Sequence, residues 1–159
     1  MRRRQFLKPL PAKLPEAWLL TDERMGDALW PALRRLPRGA GVIVRHLSLP
    51  PAERRALTAA IRAATRGRHL ILDANDPRIA KAHNRRELVA ARGKRLVFVS
   101  PVFATRTHPR ARVLGRVRFG LVVRGASTPV AALGGVTVTR YCNLRALGAT
   151  AWGAIDAWL

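Results

Sequence analysis

The sequence predicts an α/β domain in which parallel strands alternate with helices, and three observations carry that expectation. Apolar, β-branched runs of strand length recur along the chain, clearest at Gly41-Val42-Ile43-Val44 and Leu96-Val97-Phe98-Val99. Between them lie stretches with apolar residues at three-and-four spacing, the mark of a helix with one buried face. Two of the strand runs end in polar or glycine-rich loops, which is how a buried parallel strand delivers ligand-binding groups.

Taken in order, residues 1–16 carry three prolines and a basic cluster and read as an extended N-terminal arm, with residues 17–159 as the single domain that follows. Residues 17–22 form a first strand, ending in Asp22. Met25, Ala28, Leu29, Ala32, Leu33 and Leu36 fall on one face of a helix that Pro37 and Gly39 close. Residues 41–47 are the second strand. Prolines 50 and 51 open the next helix, where a missing N–H costs little, and Arg66-Gly67 ends it. The third strand, residues 69–75, stops before Asp76-Pro77. Residues 77–92 show helical spacing through Ile79, Ala80, Leu88, Val89 and Ala91, and no strand is expected there. Strands at 95–101, 128–133 and 149–155 follow, separated by helices at 117–124 and 139–147. Six parallel strands with right-handed crossovers result.

Composition narrows the function classes. The chain has 159 residues, 48% of them hydrophobic, and no run approaches the about 18 apolar residues of a membrane span. Cys142 is the only cysteine, which excludes an internal disulfide and a multi-cysteine zinc site and fits a reducing cytoplasm. Arg3-Arg4-Gln5-Phe6-Leu7-Lys8 looks like a twin-arginine export pattern, but Pro9, Pro11, Lys13 and Pro15 stand where its apolar segment belongs. The net charge is +21, from 30 Lys and Arg against 9 Asp and Glu, and every basic residue except Lys8, Lys13, Lys81 and Lys94 is arginine. Such a balance attracts phosphorylated ligands or nucleic acid. The arginines are spread along the chain rather than clustered, and aromatic residues make up only 6%, so a stacking platform for single strands has little support.

Two loops carry more specific information. Ser100-Pro101-Val102-Phe103-Ala104-Thr105-Arg106-Thr107-His108-Pro109 resembles the Gly-Pro-Val-Phe-x-Thr-x-Thr-Lys loop of the thiamine phosphate synthase and TenI-like superfamily. Ala132-Leu133-Gly134-Gly135-Val136 resembles that family's Ala-Ile-Gly-Gly-Ile turn, about 30 residues further on. The likeness runs in order through residues 17–155, with an internal deletion near residue 82 that removes roughly one and a half repeats. It implies a (β/α) barrel of TIM type, truncated, because a complete barrel needs about 250 residues. It also implies a site at the C-terminal ends of the strands, where a pyrimidine pyrophosphate would be joined to thiazole phosphate in thiamine biosynthesis.

The resemblance assigns roles residue by residue. Pyrophosphate departure demands cations, backbone donors and Mg²⁺. Arg45 matches the arginine of a Gln-x-Arg-x-Lys element, although Ile43 and Leu47 stand in place of its companions. Thr105 and Thr107 keep the expected hydroxyls, and His108 replaces a lysine. Gly134 and Gly135 would donate to the thiazole phosphate, for which a tight strand-to-helix turn is the structural alternative. Asp73 and Asp76 are the candidate Mg²⁺ ligands and Asn75 a pyrimidine contact, though Asn75-Asp76-Pro77 equally makes a plain turn. His83 matches a Ser-x-His segment and could instead cap the helix after it. Tautomerases of the superfamily carry a histidine at the position of Pro101, so that chemistry loses its acid/base here. Asp156, close to the expected phosphate, is unfavourable to it.

Two other readings stand beside the synthase: a non-catalytic relative that binds a phosphorylated ligand in a surviving half-site, and a basic nucleic-acid-binding domain. Two exposed strand edges would also offer a route to a homodimer.

Overall fold

A computed structural model describes residues 8–106 and 109–159. The arginine-rich start of the chain, including the twin-arginine pattern, and Thr107 and His108 lie outside the described residues. The elements are β1 (Ala17–Leu20), a 3₁₀ turn (Glu23–Ala28), α1 (Leu29–Arg35), β2 (Gly41–Val44), α2 (Pro51–Thr65), β3 (Leu70–Asp73), β4 (Ile79–Ala82), α3 (Arg85–Ala90), β5 (Leu96–Val99), α4 (Gly115–Val123), β6 (Val130–Leu133), α5 (Val138–Arg145), β7 (Ala151–Ala154) and a closing 3₁₀ turn (Asp156–Trp158).

All seven strands pair in parallel, in the order β3-β2-β1-β7-β6-β5-β4. β1 and β7 are therefore neighbours, as in a closed barrel, and among the described residues the one unpaired boundary is between β3 and β4. The fold is a truncated TIM-like barrel, open where the strand expected between those two would stand.

Strand alternation sorts side chains to two faces. The concave face gathers Trp18, Leu20, Ile43, Leu72, Leu96, Phe98, Ala131 and Ala151 into one core. The outer face is covered by helices in two further clusters. One joins Leu19, Val42, Val44 and Ile71 to the helical residues Leu29, Leu33 and Ile61; the other joins Val97, Val99, Val130 and Trp152 to Leu88, Phe119, Tyr141 and Leu144. Inside, the Trp18 indole meets the Phe98 ring edge-on at 5.9 Å, and its Nε1 donates to the Pro15 carbonyl. Gly41 makes room for it: a Cβ there would sit 2.1 Å from the indole Cε3.

The chain itself spans the open boundary. Residues 74–78 return from the top of β3 to the foot of β4 through two consecutive turns, closed by Asp76 N–H to the Asp73 carbonyl at 3.0 Å and Ile79 N–H to the Asp76 carbonyl at 3.2 Å. The described part of the N-terminal arm packs Leu10 and Leu14 against the concave core. Arg78 donates to the Lys8 carbonyl and Arg95 to those of Pro11 and Ala12, so the arm is fastened at the N-terminal ends of β4 and β5.

Seven strands replace the six expected. The additional one, β4, falls in the stretch whose spacing suggested a helix alone. Four residues long, interrupted by Lys81 and paired on one side only, it lacks the apolar run that marks a strand buried on both edges.

Candidate functional site

The strand ends open into a cleft of 590 Å³. Each wall comes from a different strand: Arg45 follows β2, Lys81 lies within β4 and His83 follows it, Ser100 and Pro101 follow β5, Gly134 and Gly135 follow β6, and Ile155 and Asp156 follow β7. This is the C-terminal end of the barrel, where such folds carry their sites. Four of the residues predicted from sequence meet here with Thr105: Arg45, His83, Gly134 and Gly135. The cleft also contains Lys81, Arg106 and Arg140, which were not singled out in the sequence.

The β2 end is set by a buried hydroxyl. Thr21 Oγ1 accepts the Arg45 N–H at 3.0 Å and is hydrogen-bonded to His46 Nδ1 at 3.0 Å. Thr21 is completely buried, so the start of the Arg45 loop is held by a bond that water does not contest. The guanidinium Nε of Arg45 is itself buried and has no hydrogen-bond partner among the described residues. A buried donor left unsatisfied is costly; Arg68 Nε and His69 Nδ1, outside the cleft, are in the same state.

Lys81 alternates with Ala80 and Ala82, which face the helices, and so projects to the cleft side. Lys81 is exposed at the cleft, and partial desolvation there, with the nearby Arg45 guanidinium second, holds its ammonium below the ordinary lysine range. His83 is oriented from two directions: its Nδ1–H donates to the Ser100 carbonyl at 2.8 Å and its backbone N–H to Glu87 Oε2 at 2.7 Å. Asn84 completes the arrangement as the N-cap of α3, its side chain accepting from the Glu87 N–H and donating to Oε1. This is a reciprocal cap, and it serves the helix as well as the site.

The two motif loops are locked together. Val102 N–H donates to the Leu133 carbonyl and Phe103 N–H to that of Gly134, both at 2.9 Å. Arg140 lies over the Phe103 ring at 4.7 Å and donates to the Gly135 carbonyl. Gly134 has φ +97° and Gly135 φ +59°; a Cβ on the first would lie 2.9 Å from Pro101 Cα, and on the second 2.5 Å from the Ala104 carbonyl oxygen. Both glycines are thus required by backbone conformation and close approach of the neighbouring loop. Among the described residues, no hydrogen bond engages the Gly134, Gly135 or Val136 amide.

Asp73, Asn75 and Asp76 do not line this cleft. Asp73 Oδ2 accepts from Arg54 Nε at 3.1 Å and its Oδ1 from the Asn75 N–H at 2.8 Å, leaving Asn75 exposed in the turn. Asp76 is buried and accepts from Arg78 through both oxygens, at 2.9 and 2.6 Å. That bidentate contact holds the Asp76 carboxyl below its usual range. Among the described residues, no cluster of three His, Cys, Asp or Glu could hold a metal ion, and Asp156 is the one carboxylate lining the cleft. The Mg²⁺ expected from the resemblance therefore finds Asp73 and Asp76 already neutralised by guanidinium groups: the donors present do not fit a hard, oxygen-ligated cation. Thr107 and His108, the remaining predicted contacts, lie outside the described residues.

Among the described residues, no helix is long and apolar enough to cross a membrane. Residues 80–157 match the family model described as thiamine monophosphate synthase. A comparison with curated protein sequences gives no match. Among solved structures, thiamine phosphate pyrophosphorylase from Pyrococcus furiosus aligns over 89% of this chain and 86% of its own, with a TM-score of 0.69 and 18% identity. At that identity the likeness is one of fold. Weaker alignments are made by a FabK variant from Thermotoga maritima (TM-score 0.43, 16% identity, 91% of this chain and 44% of that one) and a native KDPGal structure (TM-score 0.46, 16% identity, 92% and 85%).

Proposed function

We propose that the cleft at the strand ends binds the phosphorylated ring compounds of thiamine phosphate synthesis and joins a pyrimidine pyrophosphate to thiazole phosphate, a reading supported by the match of residues 80–157 to the thiamine monophosphate synthase family model. The observation that carries this reading is the convergence of the two motif loops on one cationic cleft: Thr105 and Arg106 from one, Gly134 and Gly135 from the other, with Arg45, Lys81 and Arg140 around them. Negative charge that grows on a departing pyrophosphate is stabilised by fixed cations and unpaired backbone amides. A cytoplasmic location belongs to the same reading.

A specific observation favours a second reading, in which the cleft binds a phosphorylated ligand without turnover. Asp156 lines the cleft beside the glycine turn, and its charge opposes a phosphate there. Calorimetric titration with thiazole phosphate and then with the pyrimidine pyrophosphate, with product analysis in the same samples, separates the two. Binding of both with condensed product establishes the transferase, binding of one without product establishes the non-catalytic binder, and binding of neither removes both.

A further inference from the structure

We infer that the cleft recognises its phosphate-bearing ligand through arginine and lysine side chains alone, with no divalent cation, and that Lys81 and Arg45 form the core of this cradle. The inference rests on the proposed role of the cleft as a site for phosphorylated compounds. Three features of this chain lead to it. Both candidate metal carboxylates are spent on structure, Asp73 on Arg54 and Asp76 on Arg78, and neither lines the cleft. The positions that do line it supply Arg45, Lys81, Arg106 and Arg140 against a single Asp156. Within that set, the buried Arg45 Nε has no acceptor among the described residues. An oxyanion at the cleft neutralises charges that otherwise repel one another, which a Mg²⁺ ion placed among four cationic groups could not do. The mutual repulsion is visible in Lys81, which Arg45 helps to push toward its neutral form. A bound anion reverses that pressure, so binding at alkaline pH takes up a proton.

The test uses the whole protein and inorganic pyrophosphate as probe. Titrations are run in EDTA, in millimolar Mg²⁺, and at two salt concentrations. The expected result is saturable one-to-one binding in EDTA that Mg²⁺ leaves unchanged or weakens, because Mg²⁺ sequesters pyrophosphate. Lys81→Met and Arg45→Met are each expected to weaken binding at least tenfold. In Lys81→Met the proton uptake at alkaline pH, read from heats in buffers of different ionisation enthalpy, should disappear. Binding that appears only with Mg²⁺ overturns the inference while leaving the proposed function standing. Wild-type affinity in both variants overturns it as well, since the anion is then held elsewhere on a highly basic surface. Absence of binding in either medium removes the phosphate-site reading on which the inference rests. The Mg²⁺ and EDTA comparison needs no variant, so a folding defect in Arg45→Met does not blunt it.

Discussion

Replacing Gly135 by alanine tests whether the two motif loops are held by backbone contact. The added Cβ would lie 2.5 Å from the Ala104 carbonyl oxygen and 3.0 Å from Phe103 Cβ, and the backbone there has φ +59°. Placing a β-carbon in the left-handed region costs about 1 kcal/mol. Forcing it against a neighbouring main chain, which cannot swing aside as a flexible side-chain tip does, adds roughly 1–3 kcal/mol. Gly39 provides the control. Its φ is +80°, yet nothing lies within 4 Å of a Cβ built there, so Gly39→Ala carries the backbone penalty without the clash. For a chain of this size each kcal/mol moves the melting temperature by about 2–4 °C. Gly135→Ala is therefore expected to melt roughly 5–15 °C below the parent, and Gly39→Ala about 2–4 °C below. Circular dichroism melts of the three proteins side by side are sufficient. Equal melting temperatures for the two variants would refute the close approach of the loops, and with it the account of how the cleft is assembled.

Other consequences are accessible to simpler measurements. Gly41→Ala drives a Cβ into the fully buried Trp18 ring at 2.1 Å, so it should lower the urea midpoint sharply; Trp18→Leu in the same chain should restore part of the loss, and purely additive effects would contradict the packing. His69 is buried with Nε2 donating to the Leu33 carbonyl, and burial holds its pKa below 6.5. The unfolded chain then binds the proton more readily, so stability is full above about pH 6.5 and falls as pH drops through that value toward the folded pKa. His69→Gln should flatten this part of the urea-measured pH profile, and an unchanged slope would exclude His69 as its source. Asp76, lowered by its bond to Arg78, contributes stability that is present above the unfolded carboxylate value near 3.8 and lost as pH falls through the folded pKa. Asp76→Asn should cost roughly 2–4 kcal/mol at neutral pH and much less in acid; equal destabilisation at pH 7 and pH 2.5 would argue against the ion pair.

Much of this architecture was legible in the sequence because parallel strands covered on both faces leave a plain signature. Val42, Ile43 and Val44 are buried without exception, as are Leu96 to Val99, and their apolar runs could be read directly. The paired loops at Ser100 and Gly134 were legible for a different reason: their residue types are fixed by close approach, as the contacts of Gly134 with Pro101 show. β4 was not, since an edge strand of Ile79, Ala80, Lys81 and Ala82 pairs with β5 alone and carries no distinctive pattern. Lys81 and Arg140 went unrecognised because one of 30 basic residues looks like another until the fold selects which ones face the cleft. The partners of Asp73 and Asp76 were equally hidden: a carboxylate at a strand end reads the same whether its neighbour is a metal or a guanidinium.

The short connection between β3 and β4 sets the surroundings of Asp73, Asp76 and Lys81 together. With no helix and strand between β3 and β4, five residues must carry the chain from the top of one to the foot of the other. Two tight turns do so, and each is built around an aspartate: Asp73 accepts the Asn75 amide, and Asp76 accepts the Arg78 amide as well as its guanidinium. Arg78 in turn fastens the arm that packs Leu10 and Leu14 against the exposed concave core. Both carboxylates are thereby committed to closing the connection. Lys81, moreover, sits on the strand bordering the same boundary, exposed on its cleft side. The consequence is specific: replacing Arg78 would loosen both the turn at Asp76 and the arm on the open side of the barrel.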